Sequence, residues 1–340
     1  MFSLKLFSIL FFNSILGFVF FIYINNYIAK IRPRQIQDVH DFESSRHGGI
    51  VFLVLFNSYN IYLNHIDITL LLCSLFICVP AIIEDFKFNL NPILRLLLIL
   101  IFSFVLIANL DSLPKFEITI LENILNNFYF QIIFYTLCLT VIINGQNIID
   151  GTNGLSALTS LSIYFSLFFL ANKFNDIYIS SLCLFIITII LSFLIFNFPL
   201  GKIFLGDSGS YFLGLMSGYM IILFFGKYNE LFTWHAVLIL FYPSFEVFFS
   251  YLRKVIARKS PFYPDSRHLH LKTFHFLNRF FSTKFSNNLV VLFLIPVWLS
   301  PSVLLTLFYN DRVMIMISIF ICLLIYLIIY FFLPSPKKDT

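Results

Sequence analysis

Four carboxylates stand at the ends of apolar runs or beside glycine: Glu84, Asp85, Asp150 and Asp207. Carboxylate oxygens are hard ligands that suit Mg²⁺, which takes one or two of them and leaves other positions to water and phosphate oxygens. Mn²⁺ accepts the same donors. Asp207 lies in Phe204-Leu205-Gly206-Asp207-Ser208-Gly209-Ser210, directly before an apolar stretch. Backbone N–H groups at such a helix start, unobstructed by bulky side chains, cradle anions. Asp207 alone would repel a phosphate; with a divalent cation bound it becomes part of a phosphate site. In isolation the same pattern also reads as an ordinary N-cap. Asp150 lies within Asn144-Gly145-Gln146-Asn147-Ile148-Ile149-Asp150-Gly151-Thr152-Asn153-Gly154, whose Asp-Gly and Asn-Gly pairs are also plain turn formers.

Basic and imidazole groups add to this set. His268 and His270, in Pro264-Asp265-Ser266-Arg267-His268-Leu269-His270, have hydrogen-bonding capacity for a diphosphate. Arg46, Lys202 and Arg267 are phosphate partners by type and equally serve as topology determinants. Glu246 falls inside an apolar run, where a carboxylate is a functional candidate unless it only reaches the interface. Cys73, Cys78, Cys138, Cys183 and Cys322 all sit in apolar runs without metal-ligand spacing, and no Cys/His set argues for zinc.

The elements that must hold these groups are membrane helices. Of 340 residues 59% are hydrophobic and 11% charged, 47 are Phe, and mean hydropathy is +0.91. A soluble domain carries about a quarter charged residues. Eleven apolar segments approach the length of about 20 residues that crosses the hydrocarbon core: 3–28, 49–64, 67–83, 93–110, 129–143, 155–171, 177–196, 208–226, 233–251, 288–308 and 312–333. The first is too long for a signal-peptide core and lacks a small-x-small cleavage site, so it reads as a span. The expectation is an all-α, polytopic transmembrane helical bundle of about eleven spans, forming one membrane domain over residues 1–340. The basic residues are scattered among apolar runs, which excludes nucleic-acid binding.

Charge placement gives the side. All 22 Lys and Arg except Lys5, Lys115, Lys173, Lys227 and Arg312 fall on alternate loops and on the tail. The positive-inside rule puts those loops in the cytoplasm, with the N-terminus outside and the C-terminus inside. The polar clusters all belong to the same loops: 29–48, 84–92, 144–154, 197–207 and 252–287. One shared site on the cytoplasmic face follows as an expectation.

These motifs resemble the polyprenyl-phosphate N-acetylhexosamine-1-phosphate transferases, in glycosyltransferase family 4. The resemblance runs over about residues 40–275. It is carried by Asn144-x-x-Asn147-x-x-Asp150-Gly151-x-Asn153-Gly154-Leu155, by Phe204-x-Gly206-Asp207-x-Gly209-Ser210, and by Pro264-Asp265 with His268-x-His270. The last resembles the branch that initiates O-antigen and enterobacterial common antigen rather than the phospho-N-acetylmuramoyl-pentapeptide transferase. The resemblance implies transfer of a HexNAc 1-phosphate from a UDP-sugar to undecaprenyl phosphate, with release of UMP, in the bacterial inner membrane. It implies Mg²⁺ on Asp207 and Asp150, with Glu84, Asp85, Asp150 and Asp207 as the catalytic set. It further implies Asn144, Asn147, Asn153, Arg46, Lys202, Arg267, His268 and His270 at the substrates. The chain departs from the family in having Glu84-Asp85 where Asp-Asp is usual, and Ser44-Ser45-Arg46-His47 where Pro-Thr-Pro precedes Gly-Gly. The alternative function is a transporter or lipid flippase, whose polar groups would line a midplane path. The sequence leaves the oligomeric state open and allows a homodimer.

Overall fold

The structure is a computed structural model that describes residues 4–29, 45–62, 67–86, 90–117, 125, 127–228, 230–258 and 266–334. Pro264, Asp265 and most of loop 29–48 lie outside the described residues. The described chain is all-α, and its one β-bridge joins Ser45 to Ile203.

Among the described residues fifteen helices follow one another: α1 (Leu4–Ala29), α2 (Gly48–Tyr62), α3 (Ile68–Asp85), α4 (Pro92–Ala108), α5 (Phe128–Ile148), α6 (Leu155–Lys173), α7 (Ile177–Asn197), α8 (Gly206–Lys227), α9 (Trp234–Ile239), α10 (Phe241–Ile256), α11 (Leu269–Leu277), α12 (Thr283–Phe293), α13 (Ile295–Trp298), α14 (Ser300–Phe308) and α15 (Arg312–Phe332). Eight helical stretches among the described residues are long and apolar enough to cross a membrane, and α2 and α4 are shorter apolar helices. Every apolar segment read from the sequence is helical. Two of them are broken rather than continuous. Segment 233–251 divides into α9 and α10 at Leu240, and 288–308 divides into α12, α13 and α14. Pro243, Pro296 and Pro301 supply the reason. A proline has no N–H to give, and its ring collides with the carbonyl four residues back.

α8 is the axis of the bundle. Nearly all of it, 94%, is buried, against 17% of α1 and 28% of α15, whose apolar flanks face outward. It packs on α2, α3, α5 and α6. Small residues bring the backbones together: a Cβ on Gly214 would press on Ile143 Cα at 2.8 Å. Without a hydrophobic drive between helices in lipid, such close packing is what holds them.

The far end of α8 is tied by polar contacts. Lys227 pairs with Asp176 at 2.8 Å, and Asp176 also caps α7 through the Ile179 amide at 3.0 Å. Asp67 caps α3 through the Leu70 amide at 2.9 Å and accepts from the Tyr219 hydroxyl at 3.1 Å. Those acidic residues are structural. The end of the bundle formed by Gly206 is organised differently.

Candidate active site

α8 begins without a side-chain cap of its own. Gly206 has φ +70°, a left-handed conformation that favours glycine. A Cβ there would also collide with the Arg46 carbonyl and the Asp85 carboxylate. The missing cap comes from α3. Asp85 Oδ1 accepts from the Asp207 amide at 2.9 Å, and its Oδ2 accepts from the Ser208 amide at 3.1 Å and the Ser208 hydroxyl at 2.7 Å. The cradle of N–H groups expected at this helix start therefore exists, and here a carboxylate fills it.

The loop before α8 is stapled to the start of α2. Gly48 and Gly49 donate their amides to the carbonyls of Phe204 and Leu205 at 3.0 and 2.9 Å, and the Phe204 amide donates to Ser45 at 2.7 Å. Gly49 lies so close to Gly209 that a Cβ would overlap the Gly209 amide. The Arg46-His47-Gly48-Gly49 and Phe204–Ser210 motifs are thus one structural unit. Burial holds the His47 imidazole below its ordinary pKa, which favours the neutral ring.

Asp207 points away from this staple. Its Oδ2 accepts from Arg95 at 2.8 Å and its Oδ1 from Asn147 at 3.1 Å. The same Arg95 nitrogen pairs with Glu84. Asn147 also donates to Ser210 at 2.9 Å, and the Arg95 guanidinium lies 5.6 Å from the Tyr211 ring centre. Glu84, Arg95, Asp207 and Asn147 form one chain of contacts across α3, α4, α8 and α5.

Asp150 follows α5 in the turn to α6. Burial, then the charges of Asp207 and Asp85, push its carboxyl well above the usual carboxylate range, and the Ser156 hydroxyl and Arg46 oppose that rise. The three aspartates are therefore electrostatic neighbours. His270 packs on the adjacent Gly151, where a Cβ would overlap its Nε2. Burial holds the His270 imidazole down at about 4.

The other residues singled out by sequence make these contacts. Asn144 donates to the Thr140 carbonyl of its own helix at 2.8 Å. Asn153 donates to Asn288 at 2.9 Å, and its amide donates to Asn287 at 2.7 Å, so it ties the turn to α12. Lys202 and Arg46 are exposed. Arg267 is partly exposed, and its carbonyl accepts from Arg253 at 2.6 Å. His268 Nδ1 lies 2.9 Å from Glu246 Oε1. The group that sequence reasoning left out of the site is Arg95. The available signal was an arginine inside an apolar helix, a placement that is costly and usually functional.

A divalent cation fits the chemistry of this cluster. Its donors are oxygens, and the mutual repulsion visible at Asp150 is excess negative charge that a cation relieves. Among the described residues no three His, Cys, Asp or Glu side chains converge tightly enough to hold a metal by themselves. A cation here would complete its shell with water and phosphate oxygens, as Mg²⁺ usually does.

The bundle and its carboxylate cluster define a multi-pass membrane protein with a polar site gathered at one end. A match to glycosyl transferase family 4 covers residues 68–225, which include Glu84, Asp85, Asp150 and Asp207. That stretch is a little under half of the 340 residues, and the family is what this part of the chain is similar to. The chain is 31% identical over 139 residues to an undecaprenyl-phosphate alpha-N-acetylglucosaminyl 1-phosphate transferase of Thermotoga maritima, covering 41% of each protein. A probable undecaprenyl-phosphate N-acetylglucosaminyl 1-phosphate transferase of Bacillus subtilis is 29% identical over 196 residues, covering 57% of this chain and 55% of that protein. A decaprenyl-phosphate N-acetylglucosaminephosphotransferase of Mycolicibacterium smegmatis is 33% identical over 161 residues, 41% of this chain and 39% of its own length. The chain thus spans about half or less of the length of these relatives.

Proposed function

We propose that the chain transfers a HexNAc 1-phosphate from a UDP-sugar to a polyprenyl phosphate such as undecaprenyl phosphate, releasing UMP, on the cytoplasmic face of the bacterial inner membrane. The observation that carries this reading is the convergence of Asp85, Asp150 and Asp207 at the start of α8, with Arg95 and Asn147 on Asp207. With Asp85 filling the helix-start amides, the neighbouring carboxylates Asp150 and Asp207 suit a cation that brings two phosphates together.

In the proposed reaction an oxygen of the lipid phosphate attacks the β-phosphorus of the UDP-sugar. The new P–O bond joins lipid and sugar phosphates, and the bond from the β-phosphorus to the UMP oxygen breaks. Mg²⁺, or Mn²⁺, would sit on Asp207 and Asp150 and neutralise the diphosphate charge. Glu84 and Asp85 stand on the acceptor side in this reaction; with Asp85 accepting three hydrogen bonds as the cap of α8, Glu84 takes the lipid phosphate's proton where one remains, and the second phosphate pKa of about 6 makes that proton minor at neutral pH. Arg95 lies between Glu84 and Asp207 and offsets their charge as the two anionic substrates approach. His268 and His270 hold the donor diphosphate beside Gly151. The prenyl tail remains in lipid against the outer helix faces.

The test is transfer of radiolabel from a panel of UDP-HexNAc sugars to undecaprenyl phosphate by the purified chain. Asp207→Asn should abolish cation-dependent transfer while the protein still inserts. Unchanged turnover in that variant would sink the assignment of the site.

A further inference from the structure

Glu246 is the buried carboxylate that the transfer chemistry leaves unused. It lies in α10 and is 1% exposed. Its Oε1 meets His268 Nδ1 at 2.9 Å and accepts from the Leu269 amide at 3.2 Å, and its Oε2 accepts from the Tyr326 hydroxyl at 2.7 Å. A buried carboxylate is costly unless its oxygens are paired. These oxygens are paired with donors, which is the pattern of the ionised form, since that form accepts and cannot donate. His268 then carries its hydrogen on Nδ1, and Nε2 is the nitrogen left to face a ligand. The network, rather than an observed hydrogen, makes this assignment.

The same segment is fixed at further points. Arg253 donates to the Arg267 carbonyl at 2.6 Å, and Lys272 Nζ donates to the Tyr330 carbonyl at 2.7 Å. Tyr326 and Tyr330 lie one turn apart on α15 and so share a face. On the other side of this clamp, the His270 ring lies parallel to His268, at 9° and 5.9 Å between centres. His270 also packs on Gly151, next to Asp150. Its Nδ1 is buried with no partner among the described residues. Glu246, Tyr326 and Tyr330 all lie beyond the family match at 68–225.

We propose that Glu246, backed by Tyr326, is a positioning residue for the donor-phosphate site: it locks His268 as the Nδ1–H tautomer and holds it, with His270, beside Asp150-Gly151. What the histidines bind, the diphosphate of a nucleotide sugar, rests on the transferase reading. The placement rests on the contacts themselves. A lost charge-assisted hydrogen bond behind a ligand-binding ring translates into about a tenfold loss of affinity.

The test uses the full chain in lipid nanodiscs, with ¹⁵N-labelled histidine and with Glu246→Gln, Tyr326→Phe and His268→Ala variants. The His268 signal, assigned by its loss in His268→Ala, should report a protonated Nδ1 that changes in Glu246→Gln. The KM for UDP-HexNAc should rise about tenfold in Glu246→Gln and less in Tyr326→Phe, with the KM for undecaprenyl phosphate unchanged. Adding Glu246→Gln to His268→Ala should cost nothing further. Additive losses, or a parallel rise of both KM values, would overturn the proposal. If Glu246→Gln does not fold, Tyr326→Phe, which removes one hydroxyl, decides by the same KM split. If the wild-type chain uses no UDP-sugar, the transferase reading falls and the ring still decides. An Nε2–H tautomer at His268, or an Nδ1–H that survives Glu246→Gln, overturns the positioning role.

Discussion

The carboxylate of Asp85 closes the first turn of α8, accepting the Asp207 amide at 2.9 Å on one oxygen and both the amide and hydroxyl of Ser208 on the other. α3 and α8 are thereby joined at the point where Asp207 leaves the backbone. The direction of the Asp207 side chain depends on this joint. Removing an N-cap costs about 1 kcal/mol, up to about 2. Asp85→Ala should therefore lower thermal stability in detergent by a few degrees. It should lower transfer much more, because the Asp207 turn loses its anchor. Asp85→Asn keeps one acceptor oxygen and should fall between wild type and Ala in melting temperature. Equal melting temperatures for all three proteins would contradict the capping role.

Arg95 places one positive charge between Glu84 and Asp207. Lysine lacks the planar fork and carries a point charge on a looser stem. Arg95→Lys should keep part of the activity, and Arg95→Gln should lose most of it. Cation binding should move the other way. With the competing charge gone from Asp207, Arg95→Gln should bind Mg²⁺ or Mn²⁺ about tenfold more tightly. Calorimetric titration of the cation, set beside the transfer rate, separates the two effects.

Much of this arrangement can be read in the sequence, and the unread part has a common cause. Hydropathy locates the long apolar helices because bilayer thickness sets their length, and it passes over α11, which lies in the polar loop 252–287. Asp150 and Asp207 are conspicuous as carboxylates beside glycine at the ends of apolar runs. The breaks at Pro243, Pro296 and Pro301 obey a local rule, yet apolarity alone makes those segments look continuous. Contacts distant in sequence leave no local trace. Nothing near Asp85 says that it caps a helix beginning at Gly206, and nothing in the last apolar run marks Tyr326 as the partner of Glu246. Asn144 and Asn153 make contacts that their motif does not announce. One side-chain amide donates to its own helix and the other to α12, because an amide satisfies whichever backbone or side chain is nearest.

Two neighbouring groups give opposite pH dependences. Asp150 holds its proton more tightly folded than unfolded, so stability falls as pH rises from the ordinary carboxylate value through the raised one. His270 is held down at about 4, so the unfolded chain takes up its proton first as pH drops below the ordinary 6.5, and stability falls toward pH 4. Between pH 4 and 6.5 the two slopes oppose each other, so melting temperature in EDTA should change little there. Asp150→Asn should raise it on the alkaline side with little change near pH 4. His270→Gln removes the opposing slope and should leave melting temperature falling as pH rises from about 4. Identical pH profiles for wild type and both variants would contradict the burial of these groups.

Gly151 separates the two halves of the site, with Asp150 on one side and His270 on the other. It is exposed, and the three atoms nearest a methyl group there all belong to the His270 ring. Overpacking in a well-packed core costs about 1–3 kcal/mol. At Gly151 the ring gives way instead, since the His segment is anchored mainly through Glu246 and α15. Gly151→Ala should leave the melting temperature within a few degrees of wild type and raise the KM for the UDP-sugar. The KM for the lipid phosphate should stay fixed, because Glu84, Asp85 and Arg95 lie on helices that Gly151 does not belong to. A large drop in stability with unchanged KM would show that the ring cannot move, and that Gly151 serves the fold rather than donor binding.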